Sequence, residues 1–352
     1  MRISRIGWSR PSVVVLGAGA TRGASHVGAI PGPLPPLDAD FFTQAQRLTQ
    51  AKRSDLVTGL VANTVAIFGS NFQLTMEGFL TQVEQLSNVF EDYKLQGRPP
   101  DSPYRPVREQ FLQVLAAVID EAIGRVASCD HHKTLAASLT PKDTILSFNY
   151  DPLIDMTLRD HFPQKWNPRF GYGVPARVKG KRAAGTFAWA GKDPKTGEIS
   201  LPAASVTLLK MHGSLNWFPA PVEYFSLLEL RQRWWHQHGD LDFEIAPPEW
   251  NKPIRSGIYE RVWSQARKAL KSVNSLVVIG YSLPANDLPA QALFMADALR
   301  KKGAPPKLRL LVIVNPDREA RARIRKVLIS RLDKKTRVIT FDSFADYAAF
   351  IA

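Results

Sequence analysis

Four short segments of the sequence combine glycines with side chains that can hold a ligand or move a proton. They are Gly17–Thr21, Asn149–Asp151, His212–Ser214 and Gly280–Ser282. A histidine imidazole accepts protons near neutral pH, and an asparagine amide can hold a water or a ribose hydroxyl in line for attack. Glycines at a tight turn let backbone amides approach a phosphate closely, helped by the positive end of a following helix.

Each segment taken alone also has a purely structural interpretation. The first is GxG rather than GxGxxG, because Arg22 stands where the third glycine would fall. No acidic residue is placed as a ribose clamp for the dinucleotide fingerprint, which argues against a hydride-transferring dehydrogenase. His212 can be a structural hydrogen-bonding group, and Asp151 can cap the helix that follows it.

Strands and helices must bring these segments together. The apolar run Ser12–Leu16 is typical of a strand buried on both faces of a parallel sheet. Strands then alternate with helices in the last third of the chain, which indicates right-handed βαβ crossovers. We therefore predict an α/β fold with a doubly wound, Rossmann-like parallel sheet, and ligands bind such sheets at the strands' carboxyl ends. The other predicted strands span 143–148, 205–211, 275–280, 308–314 and 337–341.

Helical spacing of apolar residues predicts an insert between the first two strands. We expect one domain over 1–352, with this helical insert at about 38–130 and an irregular insert, a loop or hairpin, at about 162–204. Asp38 or Asp40 is placed to cap a helix that begins near Phe41. The remaining predicted helices span 76–93, 107–126, 152–159, 258–271, 288–301, 317–332 and 344–351, and 222–238 is Trp-rich and helix-compatible.

Composition excludes several classes of protein. The solitary Cys129 among 352 residues supplies neither an internal disulfide nor a four-thiolate zinc site. No apolar run approaches the ~20 residues that cross a bilayer. We expect a soluble, cytoplasmic protein with no zinc module, no bound metal and no membrane partner.

The positive charge is concentrated near the end of the sequence. The chain carries a formal net charge of +14, and residues 300–337 contain 14 basic and three acidic residues, a net +11. This segment is interpreted either as a solvated basic helix face or as a surface for nucleic acid, an anionic cofactor or an acidic partner.

Five motifs occur in the same order as in the sirtuin (silent information regulator) superfamily, which the sequence resembles. They are GAGA at 17–20, FNYD at 148–151, KMHGS at 210–214, GYS at 280–282 and VNPD at 314–317. Longer stretches resemble the bacterial sirtuin-like branch linked to antiphage defence: SFNYDPLI at 147–154, HGSLNW at 212–217, APP at 246–248 and IGYSL at 279–283.

The resemblance implies an NAD site at the edge of the sheet. It implies that Asn149 and His212 flank the nicotinamide ribose as catalytic residues. It also implies that the 17–21 and 280–282 segments hold the pyrophosphate and the adenosine ribose, and that Asn315 lies near the adenosine end. Asp151 matches the family's acidic residue, and Asp40 and Phe41 match its mobile cofactor loop. The binding residues implied are Gly17, Ala18, Gly19, Ala20, Thr21, Asp40, Phe41, Asp151, Gly280, Tyr281, Ser282 and Asn315.

Departures from the family decide which activity to expect. Protein-deacylating sirtuins carry a glutamine before the asparagine and a four-cysteine zinc module, whereas this chain has Phe148 and one cysteine. Because the zinc module helps to build the acyl-peptide groove, the resemblance favours the defence-type activity, hydrolysis of NAD to ADP-ribose and nicotinamide.

NAD loss poisons a cell, so we expect an effector that is held inactive until triggered. By resemblance, we expect a homo-oligomer with a partner such as a HerA-like ATPase, another ATPase or an Argonaute-type protein. Two alternatives stay open. One is an NAD-dependent deacylase of unusual form, and the other is a non-catalytic module that binds NAD, ADP-ribose or nucleic acid.

Overall fold

A computed structural model describes most of the chain. No helix in this part of the chain is long and apolar enough to span a lipid bilayer. The residues described are 8–28, 31–92, 104–123, 129–166, 168, 171–174, 176–179, 187–189, 205–219, 228–230, 245–246, 257–284, 287–296 and 307–352.

The described strands form two sheets. A six-stranded sheet consists of β1 (Ser12–Leu16), β2 (Thr144–Ser147), β5 (Thr207–Lys210), β8 (Ser275–Ile279), β9 (Leu310–Val314) and β10 (Arg337–Phe341). A four-stranded sheet consists of β3 (Ala176–Lys179), β4 (Phe187–Trp189), β6 (Trp217–Pro219) and β7 (Leu228–Leu230).

The larger sheet is parallel throughout and doubly wound. Its order is β10-β9-β8-β1-β2-β5, so the chain starts in the middle, winds to one edge through β2 and β5, and returns beside β1. From there it winds to the opposite edge. This is the strand order of a Rossmann-like sheet, with its switch point between β1 and β8. The predicted α/β fold class is confirmed.

The strand sequences explain this arrangement. β1, β8 and β9 are buried along their whole length, and their apolar runs suit strands covered by helices on both faces. The described helices are α1 (Ala18–Arg22), α2 (Phe41–Ala45), α3 (Ala51–Phe68), α4 (Met76–Asp92), α5 (Arg105–Ile123), α6 (Asp130–Ser138), α7 (Leu153–His161), α8 (Gly257–Ser272), α9 (Leu288–Met295), α10 (Arg318–Val327) and α11 (Phe344–Ile351).

The helical insert has a hydrophobic core of its own. Phe111 of α5 stacks on Phe79 of α4, with ring centroids 5.2 Å apart, and contacts Phe41 of α2 at 4.8 Å. Tyr150 and Leu215, which follow β2 and β5, pack into the same core. The insert is therefore joined directly to two of the segments singled out in the sequence.

The structure adds one long helix that the sequence pattern did not predict. The buried positions of α3 include Arg53 and Thr64 as well as Val57 and Leu60. Arg53 pairs with Asp120 of α5 at 2.5 Å, so a charged residue occupies a position where helical periodicity requires an apolar one.

The smaller sheet tests two predictions for the irregular part of the chain. β3 and β4 pair antiparallel, as expected of a hairpin excursion. The helix-compatible interpretation of 222–238 is wrong at Leu228–Leu230, which form β7 between β3 and β6. The rest of that stretch lies outside the described residues, as does the end of the helix predicted at 288–301.

Replacing Phe111 by alanine tests the insert's core. The side chain is fully buried and contacts two other phenylalanines, so its removal leaves a cavity and should lower the free energy of unfolding by about 3–5 kcal/mol. Urea denaturation followed by tryptophan fluorescence measures this loss. Val89→Ala on α4, where the side chain is 55% exposed, is the control and should change stability by less than about 0.5 kcal/mol. Equal stabilities of the two variants would contradict the core assignment.

Candidate functional site

Two glycine-bearing loops meet at the switch point of the sheet. The amide of Gly17 donates to the carbonyl of Ile279 at 3.0 Å, and that of Gly19 donates to Gly280 at 2.9 Å. A Cβ on Gly280 would lie 2.1 Å from the nitrogen of Ala20, and Gly280 has a φ of +61°. Glycine is needed here because one backbone lies against the other.

These contacts change the interpretation of the first loop. The amides of Gly17, Gly19 and Ala20 donate within the protein, so those three are not donors for a phosphate in this conformation. Ala18 is exposed, at the start of α1, and its amide has no acceptor among the described residues. Within the predicted 17–21 cradle, the Ala18 amide is therefore a candidate donor to a ligand.

Asn149 is held by a chain of side-chain hydrogen bonds. Its Nδ2 donates to Thr21 Oγ1 at 3.0 Å, and Thr21 Oγ1 donates to Asp151 Oδ2 at 2.7 Å. The other Asp151 oxygen accepts the amide of Leu153 at 3.0 Å. Pro152 is the N-cap residue of α7, and Asp151, predicted to cap this helix, accepts the amide of its first residue and also orients Thr21.

These hydrogen bonds use the side-chain nitrogen of Asn149 and leave its oxygen, Oδ1, available to a ligand. Asn149 is 8% exposed, and its Oδ1 has no hydrogen-bond partner in the described part of the chain. Leaving a buried acceptor unsatisfied costs about 1–3 kcal/mol. A ligand hydroxyl or a water that donates to Oδ1 removes that cost, which suits the role expected of Asn149.

His212 lies at the same level of the sheet edge as Asn149. Ser147 of β2 is paired with Lys210 of β5, and Asn149 and His212 each stand two positions beyond that pair. Gly213, with a φ of +77°, turns the chain directly after the histidine. The structure therefore brings the ends of these two strands, 63 positions apart in the sequence, to one edge.

Aromatic rings fix the orientation of His212. The imidazole, in a residue that is 6% exposed, meets the edge of Phe148 at 5.2 Å and stacks on Trp263 at 6.4 Å. Trp263 is itself held by its indole N–H, which donates to the carbonyl of Met211 at 2.9 Å. Phe148 also stacks on Tyr281 at 4.2 Å, so the loops after β2, β5 and β8 share one aromatic cluster.

A buried lysine, which the sequence analysis did not single out, joins the loops after β2 and β5. Lys210 Nζ donates to the carbonyl of Asp151 at 2.6 Å and pairs with Asp155 at 3.2 Å. Tyr172 donates a short hydrogen bond to the same carboxylate. Burial raises the pKa of Tyr172 well above its ordinary value, and the charge of Asp155 raises it further, so the hydroxyl keeps its proton. In the sequence, Lys210 stands only as the first residue of the KMHGS motif, two positions before His212, with no role assigned to it.

The loops after β8 and β9 are linked at the predicted adenosine end. Asn315 Oδ1 accepts the amide of Asp317 at 3.0 Å, and its Nδ2 lies 3.5 Å from the carbonyl of Tyr281. Arg323 of α10 donates to the carbonyl of Ser282 at 3.0 Å. The half-buried Ser282 and the buried Asn315 therefore border one end of the edge.

Asp40 and Phe41 have structural roles in this conformation. Asp40 precedes α2 without capping it; its carboxylate binds Arg22, Gln44 and the amide of Leu37. The cap predicted for Asp40 is therefore not formed. Phe41 is fully buried in the core of the insert, in the same cluster as Tyr150 and Leu215.

The fold and the edge define a class: a doubly wound α/β protein whose candidate site lies at the switch point of its parallel sheet. No protein-family model matches the chain, and no curated protein matches it either. Among the described residues, no group of three or more His, Cys, Asp or Glu side chains is arranged to hold a metal ion.

Replacing Lys210 by methionine tests the buried pair. The change leaves the Asp155 carboxylate buried without its cation, which should lower the free energy of unfolding by about 3–5 kcal/mol. In urea denaturation, adding Asp155→Asn to Lys210→Met should cost less than the sum of the two single changes, because no charge then stays buried.

The control for that experiment is Lys271→Met, at an exposed position near the end of α8. It should change stability by less than about 0.5 kcal/mol. Purely additive effects of Lys210→Met and Asp155→Asn would show that the two side chains do not act as a pair.

Proposed function

We propose that the chain binds NAD at the β1–β8 edge and hydrolyses it to ADP-ribose and nicotinamide. The observation that carries the proposal is the juxtaposition of two strand ends. Asn149 and His212 follow neighbouring strands at the same register, and the buried Oδ1 of Asn149 has no hydrogen-bond partner among the described residues. An amide acceptor and an imidazole side by side at a ligand-binding edge suit attack by water on a sugar carbon.

Hydrolysis of NAD requires a positioned water and a proton acceptor from the protein, but no general acid. The bond from the ribose anomeric carbon to the nicotinamide nitrogen breaks as the bond from the same carbon to a water oxygen forms. Nicotinamide leaves as a neutral molecule when its pyridinium charge collapses, so its departure requires no general acid. In this proposal Asn149 holds the water or a ribose hydroxyl, and His212 accepts the proton that the water loses.

The binding groups proposed for NAD are those that border the edge. The amide of the exposed residue Ala18, the half-buried Ser282 and the buried Asn315 supply hydrogen-bonding groups for the pyrophosphate and the adenosine ribose. Tyr281 and Phe148 supply an apolar wall that keeps bulk water from the reacting carbon.

The proposal extends to regulation and partners on the resemblance alone. A cytoplasmic enzyme that destroys NAD must be held inactive, so we propose an antiphage effector that works as a homo-oligomer and is released by a partner such as a HerA-like ATPase. Deacylation stays as the alternative for the same edge, and it would yield O-acetyl-ADP-ribose from an acetylated peptide.

Nicotinamide release from NAD by the purified full-length chain, with and without candidate partners and DNA, tests the proposal. Asn149→Ala and His212→Ala should each reduce release, the latter by the roughly 10²–10⁴-fold that a general base contributes. His161→Ala, at an exposed position on α7, is the matched control and should leave the rate unchanged. Release that is equal in the wild type and both site variants would overturn the proposal.

One surface favours a second candidate function. On α10, Ile324 is buried, whereas Arg318, Arg325 and Lys326 are exposed, as expected of a helix that presents its charge to a polyanion. A nucleic-acid-binding module would lose salt-dependent DNA affinity on charge reversal at these three positions and would keep it in Asn149→Ala.

A further inference from the structure

The order of the strands determines where the second half of a dinucleotide lies. In the proposed function, the nicotinamide ribose lies at the ends of β2 and β5 and the pyrophosphate at the switch point between β1 and β8. The adenosine half then extends in the opposite direction, over the carboxyl ends of β8 and β9, because these are the next strands in the sheet. Ser282, in the loop after β8, and Asn315, directly after β9, border this adenosine end.

Two arginines of α10 reach the adenosine end and differ in their partners. Arg321 Nε donates to the carbonyl of Asn315 at 2.5 Å, and its Nη2 pairs with Asp342. The half-buried Arg323 donates from Nε to the carbonyl of Ser282 at 3.0 Å. Its Nη1 and Nη2 have no acceptor in the part of the chain that the structure describes. Arg321 therefore holds the protein together here, whereas Arg323 has donors available for a ligand.

A carboxylate on the same helix does not neutralise Arg323. Glu319 stands four positions earlier on α10, and a glutamate followed by an arginine at this spacing is a favourable pair on a helix surface. The two side chains nevertheless form no ion pair, and no carboxylate among the described residues pairs with Arg323. The guanidinium is instead anchored to the loop after β8, and the four N–H groups on Nη1 and Nη2 form a planar fork that suits two oxygens of a phosphate.

The acidic side chains nearby bind protein groups. In Rossmann sheets, an acidic residue binds the ribose 2′-hydroxyl of NAD, whereas an arginine accommodates the 2′-phosphate of NADP. Asp317 follows β9, but its Oδ1 accepts the amide of Glu319 at 2.8 Å as the N-cap of α10. Asp342 is paired with Arg321. The side chain at this end that has unused hydrogen-bonding groups and a full charge is therefore the cation of Arg323.

We propose that the site prefers NADP to NAD, with Nη1 and Nη2 of Arg323 binding the 2′-phosphate of the adenosine ribose. The inference rests on the proposed hydrolysis and names the substrate of the same site. The bonds that break and form are those given for NAD, so water and NADP yield 2′-phospho-ADP-ribose, nicotinamide and one proton. The 2′-phosphate keeps all its bonds, and its charge of about −1.5 to −2 is what the guanidinium recognises.

Titration calorimetry of the full-length chain with 2′-phospho-ADP-ribose and with ADP-ribose tests the preference without requiring turnover. We expect the wild type to bind the phosphorylated ligand about 10- to 100-fold more tightly, the range for hydrogen bonds to a charged group. Arg323→Gln removes the cation and should bring the two dissociation constants within about threefold of each other. The affinity for ADP-ribose should stay unchanged, which shows that the loop after β8 is intact.

The matched control is Arg309→Gln, at an exposed position just before β9 and at the opposite edge of the sheet. It removes the same charge and should keep the full preference, which separates a direct contact from the general attraction of a chain with a net charge of +14. Equal affinities in the wild type, or a preference that survives Arg323→Gln, would overturn the inference. Equal losses for both ligands in Arg323→Gln would assign Arg323 a structural role and overturn it too.

Nicotinamide release from NADP and from NAD separates the inference from the proposed function. In Arg323→Gln the ratio of kcat/KM for NADP to that for NAD should fall by about 10- to 100-fold, mainly through KM, because Arg323 contacts the ligand away from the reacting carbon. Release from NAD with no preference for NADP would keep the hydrolysis and refute the inference. A binding preference that depends on Arg323, without release from either dinucleotide, would keep the inference about recognition and refute the hydrolysis.

Discussion

The backbone hydrogen bonds between residues 17–19 and 279–280 hold together the two halves of the molecule's central sheet at the edge where ligands bind. They form only because Gly17, Gly19 and Gly280 have no Cβ, since any side chain at these positions would overlap the facing backbone. With β1 and β8 locked at this point, β2 and β5 extend on one side and β9 and β10 on the other. The loops that carry the candidate site residues, after β1, β2, β5 and β8, therefore all begin at the same edge of the sheet.

Burial of polar groups at this edge opposes stability and suits function. Asn149 has a buried acceptor that no group in the described ranges satisfies. Lys210, Asp155 and Tyr172 are ionisable groups held out of water beside the 149–152 loop. A fold optimised for stability alone would place apolar side chains at such positions. Strained and incompletely satisfied groups concentrate at functional sites, and here they lie within a few residues of the two side chains proposed to act on the ribose.

The sequence predicts the sheet well and the insert less well. Runs such as SVVVL and LLVIV indicate buried parallel strands because both of their faces are apolar, and the alternation of strands with helices near the end of the chain leaves few possible topologies. Helix α3 was missed because Arg53 and Thr64 interrupt its apolar face. Strand β7 was assigned to helix because its three residues are too few to show a period.

For the site, the sequence predicts the loops and their common edge but not the contacts between them. Three contacts join positions that are far apart in the chain, and no local pattern encodes them. They are the ion pair between Lys210 and Asp155, the approach of Asp287 to His212, and the hydrogen bond from the Gly19 amide to the Gly280 carbonyl. Phe41 was assigned to a cofactor loop by resemblance alone, and no local pattern predicts that its ring packs in the core of the insert.

The most direct test of the account is a crystal structure of the full chain with a non-hydrolysable NAD analogue. The account predicts the pyrophosphate at the β1–β8 edge and a ligand hydroxyl or bridging water at hydrogen-bond distance, about 2.7–3.2 Å, from Oδ1 of Asn149. It also predicts that the anomeric carbon faces His212. A dinucleotide bound at another surface, or bound here with its nicotinamide ribose turned away from both side chains, would contradict it.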